Sequence, residues 1–83
     1  MKTGFMIEVF SQNNCAACKQ VKELLSKRNL IYTSYEIDNN PAAREDFFKR
    51  LPAARTVPQV FIDNRHIGGL DDLVKELYHN DYF

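Results

Sequence analysis

The chain predicts one α/β domain over residues 1–83, a four-stranded mixed sheet flanked by three helices in the order β-α-β-α-β-β-α. Short apolar runs rich in β-branched and aromatic residues alternate with segments whose apolar residues recur at helical spacing. The last two runs are joined only by Asp63-Asn64, a pair that tolerates positive φ and suits a tight hairpin. A first β-α-β unit implies a right-handed crossover and a parallel pair, while the hairpin adds antiparallel strands. The sheet is therefore mixed, with helices on both faces.

Met6-Ile7-Glu8-Val9-Phe10 reads as a buried first strand. It runs into Ser11-Gln12-Asn13-Asn14, whose polar side chains are expected to cap the next helix. From Cys15 to about Asn29, Cys18, Val21, Leu24 and Leu25 follow one helical face. Leu30 to Ile37 returns to strand composition, Ile31, Thr33, Tyr35 and Ile37 alternating with Tyr32, Ser34 and Glu36. Asp38-Asn39-Asn40-Pro41 is a turn feeding a second helix, with Pro41 at an early position where its missing N–H costs nothing. That helix is expected to run through Phe47 and Phe48 to Leu51, with Pro52 ending it. Gln59–Ile62 and Arg65–Ile67 form the hairpin strands, and Gly68-Gly69 breaks the chain before a last helix carrying Leu70, Leu73, Val74 and Leu77. The aromatics of the tail, Tyr82 and Phe83, are expected to serve packing.

Composition narrows the function. With 11 basic and 11 acidic side chains no net field draws the chain to nucleic acid or an anionic membrane. Its apolar stretches fall far short of the roughly 20 residues that span a bilayer, and residues 1–10 lack the apolar core of a secretory signal. A cytoplasmic protein is expected. In a reducing compartment a close cysteine pair is catalytic or metal-binding more often than a permanent cross-link.

Cys15-Ala16-Ala17-Cys18 holds the only two cysteines, at the junction of strand and helix. A helix N-terminus favours negative charge and can bring a thiol from about 8.5 down to roughly 3.5–7.5. Cys15, preceding the first turn, is the candidate nucleophile; Cys18, on the face of Val21 and Leu25, is the sheltered partner. Such a pair supports thiol–disulfide exchange, in which Cys15 attacks a substrate disulfide and Cys18 then attacks Cys15 to release the reduced substrate. Lys19 and Lys22 add positive charge nearby, although a solvated helix face is the plainer reading of both. A zinc site is not expected, since only His66 and His79 remain as further nitrogen ligands and they are isolated from the cysteines and from each other.

Two further segments stand out. Thr56-Val57-Pro58 precedes a strand, where a proline has positional meaning because it removes a ladder bond. Gly68-Gly69-Leu70-Asp71-Asp72 signals a turn and then a helix start. Free amides of a helix start can seat a carboxylate, and an acid beside them can hold an ammonium, together the head group of an amino acid.

With these three segments in this order, from about Met6 to Leu77, the chain resembles a glutaredoxin, a member of the thioredoxin-like superfamily. The resemblance implies a glutathione-dependent dithiol oxidoreductase that reduces protein disulfides and glutathione mixed disulfides, ribonucleotide reductase being one candidate substrate. It implies Cys15 as nucleophile and Cys18 as resolving cysteine. It also implies a proline, here Pro58, lying opposite the dithiol, with Thr56 and Val57 pairing with the glutathione cysteine backbone. The γ-glutamyl group then falls to Gly69, Leu70, Asp71 and Asp72. Glutathione is the implied reductant, no metal is expected, and the implied state is a monomer.

The pattern departs from the family in two places. Ala16 and Ala17 replace the common Pro-Tyr, and Gln12 stands three residues before the nucleophile, where many members carry a lysine that meets the glycine carboxylate of glutathione. Loss of one charge-assisted hydrogen bond costs about 1.5–3 kcal/mol, roughly 10- to 150-fold in affinity, unless another cation replaces it. Lys19 and Arg55 are the candidates. Two alternatives stay open: a small redoxin reduced by thioredoxin reductase, and a dimeric carrier in which Cys15 and glutathione ligate an iron–sulfur cluster.

Overall fold

A computed structural model describes residues 4–80, so the expectation for Tyr82 and Phe83 lies outside the described residues. The chain runs β1 (Ile7–Ser11), α1 (Ala16–Lys27), β2 (Thr33–Glu36), α2 (Pro41–Arg50), β3 (Gln59–Ile62), β4 (Arg65–Gly68) and α3 (Leu70–His79). The strands lie in the order β2-β1-β3-β4, with β1 parallel to β2 and the other pairs antiparallel. This is the mixed sheet with three helices that the sequence predicts.

The period-two pleat of the central strands sorts the core into two layers. Ile7 and Val9 of β1 and Val60 and Ile62 of β3 join Val21, Leu25, Leu73 and Leu77 of α1 and α3 on one face. Phe10 and Phe61 point to the other face and meet Phe47 of α2. Each such side chain contributes about 1.5–3 kcal/mol when fully buried. The two layers clamp β1 and β3, which fixes the end of β1 where the cysteines follow.

Several boundaries differ from expectation. Met6 is outside β1 and 46% exposed, and the strand instead extends to Ser11, which pairs with Glu36 and accepts the Ile37 N–H at 2.9 Å. β2 is shorter than Leu30–Ile37 because pairing with β1 begins at Thr33, opposite Glu8. Ahead of that point Asn29 takes φ +59° to end α1, Leu30 turns into the core, and Ile31 is left 66% exposed. Of the predicted alternating positions, Tyr35 and Ile37 pack against the aromatic layer, whereas Thr33 is exposed although it pairs with β1.

The segment Ser11–Asn14 does not cap α1. Cys15 is itself the N-cap and accepts the Cys18 N–H, while the Asn13 N–H goes to Asp38 Oδ2 at 3.0 Å. Asn40 caps α2 by accepting the Ala43 N–H at 3.1 Å, with Pro41 in the first turn. Asp63 and Asn64 take φ +51° and +66°, the paired positive values of a tight hairpin turn.

Candidate active site

Cys15 and Cys18 are joined as a disulfide, their Cα atoms 5.2 Å apart. Cys15 has extended backbone, φ −123°, just ahead of the first helical residue, and is half-buried. Its Sγ accepts the Cys18 N–H at 3.2 Å. That amide is one of the donors a helix start leaves without a backbone partner, so the N-terminal field acts on the Cys15 sulfur. Cys18, 1% exposed, shares the buried face of Val21 and Leu25. The pair thus offers one reachable sulfur, with the other directly behind it.

Across from the dithiol, the Val57 carbonyl oxygen lies 4.0 Å from Cys15 Sγ. The Val57–Pro58 peptide bond is cis and Pro58 is buried. Gly69 caps α3 with no side-chain hydrogen bond, and a Cβ built on it comes 3.4 Å from the Pro58 carbonyl oxygen. The start of α3 therefore abuts the proline, and Cys15, Val57, Pro58 and Gly69 form a contiguous row. Leu70 is half-buried, whereas Asp71 and Asp72 are exposed in the first turn, where acids complement the helix field. The Asp72 side chain folds back over Gly68, whose φ of +125° only glycine adopts readily.

Two clefts flank this row. One, of about 840 Å³, is lined by both cysteines together with Asn14, Lys19, Lys22 and Glu36. The other, of about 640 Å³, is lined by Gln12, Thr56, Val57, Arg55, Ile37 and Phe48 among others. Gln12 lines both clefts, so each cation named as a substitute for the missing lysine shares one with it: Arg55 beside Val57, and Lys19 beside the two cysteines.

Sequence reasoning missed a polar cluster beside the dithiol. Glu36 accepts hydrogen bonds from Lys22 Nζ at 2.7 Å, Ser11 Oγ at 2.8 Å and Ser34 Oγ at 2.9 Å. The Lys22 ammonium first, and then the two hydroxyls, hold this carboxyl down at about 2 against the opposing effect of burial. Ser11 is completely buried. Lys22 is thus not simply solvated: its side chain is 28% exposed and its charge is committed to Glu36. A lysine one helical turn after the buried cysteine was the available signal; its partner on β2 was not visible without the parallel pairing.

The histidines are elsewhere. His66 is exposed on β4 and bonded to Gln59 Oε1 at 2.8 Å, and His79 closes α3. Among the described residues no three His, Cys, Asp or Glu side chains gather in a way that could hold a metal ion, and no helix is long and apolar enough to cross a membrane.

Residues 7–67 match the glutaredoxin family. Glutaredoxin 3 of Escherichia coli K12 is 43% identical over 67 residues, covering 81% of this chain and 80% of that protein. Glutaredoxin 1 of Rickettsia prowazekii is 43% identical over 68 residues, covering 81% and 72%. Among solved structures, the buckwheat glutaredoxin–glutathione complex superimposes with a TM-score of 0.76 at 30% identity, covering 93% of this chain and 72% of that one. With the match spanning most of the chain and a Cys-x-x-Cys disulfide at the start of its first helix, this protein belongs to the glutaredoxin family and is a thiol–disulfide oxidoreductase.

Proposed function

We propose that residues 1–83 act as one glutaredoxin domain, a cytoplasmic monomer that uses glutathione to reduce protein disulfides and glutathione mixed disulfides, with ribonucleotide reductase among its candidate substrates. The observation that carries this reading is the contiguous row from Cys15 through Val57 and Pro58 to Gly69. A tripeptide laid along it meets the Thr56-Val57 backbone ahead of the cis proline and the uncapped amides of α3 with Asp71 and Asp72 beside them. Those groups match a cysteine backbone and an α-amino acid head group in turn. Arg55 and Gln12 line the cleft at the other end, where a terminal carboxylate would lie.

In this mechanism the Cys15 thiolate attacks one sulfur of the substrate disulfide, forming a new S–S bond while the other substrate sulfur leaves as thiolate. Cys18 loses its proton and attacks Cys15 Sγ, breaking the mixed disulfide. The substrate gains two electrons and two protons, and the Cys15–Cys18 pair loses the same. Two glutathione thiols then return the pair to the dithiol and leave as glutathione disulfide.

The test is reduction of the hydroxyethyl–glutathione mixed disulfide, coupled to glutathione, glutathione reductase and NADPH. Turnover is expected; its absence rejects the glutathione reading. One observation favours a second reading: the cleft carries neutral Gln12 where a lysine is common. If thioredoxin reductase with NADPH reduces the Cys15–Cys18 disulfide and glutathione does not, the protein is instead a redoxin fed by that enzyme.

A further inference from the structure

We infer that Glu36 is a positioning residue of the exchange reaction: by holding the Lys22 ammonium in an ion pair it keeps that cation off the Cys15 thiolate, and so keeps the reduced pair a good electron donor. The inference rests on the reading above for Cys15 as the attacking sulfur. It is indifferent to whether glutathione or another thiol resupplies the electrons.

Three elements bring these groups together. Lys22 follows Cys18 by four residues in α1, a spacing that places two side chains on one helical face with Cβ atoms about 5–6 Å apart. Glu36 ends β2 opposite Ser11, which ends β1 four residues before Cys15. Both cysteines, Lys22 and Glu36 accordingly line one cleft. Its other charged residues, Lys19 and Glu23, are exposed and so screened by solvent, whereas the side chains of Lys22 and Glu36 are only 28% and 30% exposed. The carboxylate is fixed by three donors, Lys22 Nζ, Ser11 Oγ and Ser34 Oγ. Held down at about 2, it stays ionised wherever a thiol titrates. Without it, Lys22 is an uncompensated cation in the dithiol cleft, on a four-carbon stem free to turn toward the thiolate.

Charge balance gives the consequence. With Cys15 as thiolate the reduced pair carries one negative charge. It gives two electrons to a substrate disulfide and the Cys18 proton to one departing substrate sulfur, and becomes a neutral disulfide while the second substrate sulfur leaves as thiolate. A cation beside the Cys15 thiolate stabilises the reduced form alone, which lowers the nucleophilicity of the sulfur and raises the reduction potential of the pair. The ion pair with Glu36 cancels that effect.

The experiment follows alkylation of the reduced full chain by iodoacetamide against pH, with mass spectrometry locating the label, and the equilibrium of the dithiol with dithiothreitol at pH 8. Glu36→Gln is expected to lower the pH midpoint of Cys15 alkylation by about half a unit and to shift the equilibrium toward the dithiol about threefold, equivalent to ~15 mV. Lys22→Gln leaves the carboxylate uncompensated and should move both readings the opposite way. The double variant should return close to the unaltered protein, and Lys22→Arg, which keeps the charge, should stay there. A general loss of stability, followed by circular dichroism, does not imitate opposite signs; where one single variant fails to fold, the sign of the other decides. Single variants that move the same way, or that leave the midpoint unmoved, overturn the inference. Label on Cys18 first rejects Cys15 as nucleophile and the inference with it, whereas label on Cys15 without a shift rejects the inference alone.

Discussion

Cys15 Sγ stands 4.0 Å from the Val57 carbonyl oxygen across 42 residues of sequence, a contact made by the fold alone. It joins the end of β1 to the loop before β3, two strands that lie side by side in the sheet. The proposed nucleophile and the backbone proposed to receive a substrate thereby follow and precede two neighbouring strands.

The asymmetry of the two sulfurs gives the first prediction. Cys15→Ser is expected to abolish every disulfide-exchange activity. Cys18→Ser should lose reduction of protein disulfides and retain reduction of glutathione mixed disulfides, which needs only one attacking sulfur. Assays with an insulin-type protein disulfide and the hydroxyethyl–glutathione mixed disulfide separate the two. Greater damage from Cys18→Ser in both would reverse the assigned roles.

Glu36 sets an acid dependence of stability. Its carboxyl titrates at about 2 in the folded chain against an ordinary 4.5, so the unfolded chain binds the proton more readily. The stability it contributes is present above about pH 4.5 and is lost as pH falls toward about 2. Glu36→Gln should flatten the fall in urea midpoint across that window, followed by circular dichroism. An unchanged slope would show that other carboxylates carry the acid limb.

Gly68 has a conformational and a steric reason to be glycine. At φ +125° a side chain is strained, and an added Cβ would lie 2.8 Å from Asp72 Cβ. Gly68→Ala is expected to cost about 1–3 kcal/mol in chemical denaturation. Because the displaced residue is Asp72, at the start of α3, the KM for glutathione should rise as well. A variant of unchanged stability and unchanged KM would contradict both arguments.

On the far face, Arg50 donates to Glu8 at 2.9 Å and to Asp46 at 3.3 Å while stacking 4.0 Å from the centre of the Phe61 ring. Arg50→Met leaves the Glu8 carboxylate, only 12% exposed, without its charged partner, at an expected cost of about 2–3 kcal/mol. The double variant with Glu8→Gln should lose less than the sum of the singles. Tyr35 supplies a spectroscopic check, since burial and then the Glu8 charge raise its phenol above the ordinary 10.0. Glu8→Gln should lower the pH at which that phenolate absorbs; no movement would show that Glu8 leaves Tyr35 untouched.

Much of the molecule was legible locally. The order of elements follows from periodicity, the α2 start from Asn40-Pro41, the hairpin from Asp63-Asn64, and the likeness to glutaredoxins from three short motifs. These signals depend on neighbours a few residues apart, where backbone preference and side-chain spacing are decided by the sequence itself. The misplacements, at Met6, Ile31 and the cap of α1, arose where a distant partner determined the outcome: Thr33 is the first β2 residue with a strand opposite it, and Asp38 took the Asn13 N–H.

What the sequence by itself determined is the kind of chemistry: two thiols at a helix start make an exchange site wherever the chain is placed. Only the tertiary structure decided what surrounds them. The parallel pairing of β1 and β2 brings Glu36 to Ser11 and Lys22, and the antiparallel pairing through β3 brings Val57 to Cys15 and Arg55 to the cleft of Phe48. Electrostatics and shape at a site depend on distance through space, and no local preference encodes which distant charge or ring will arrive there.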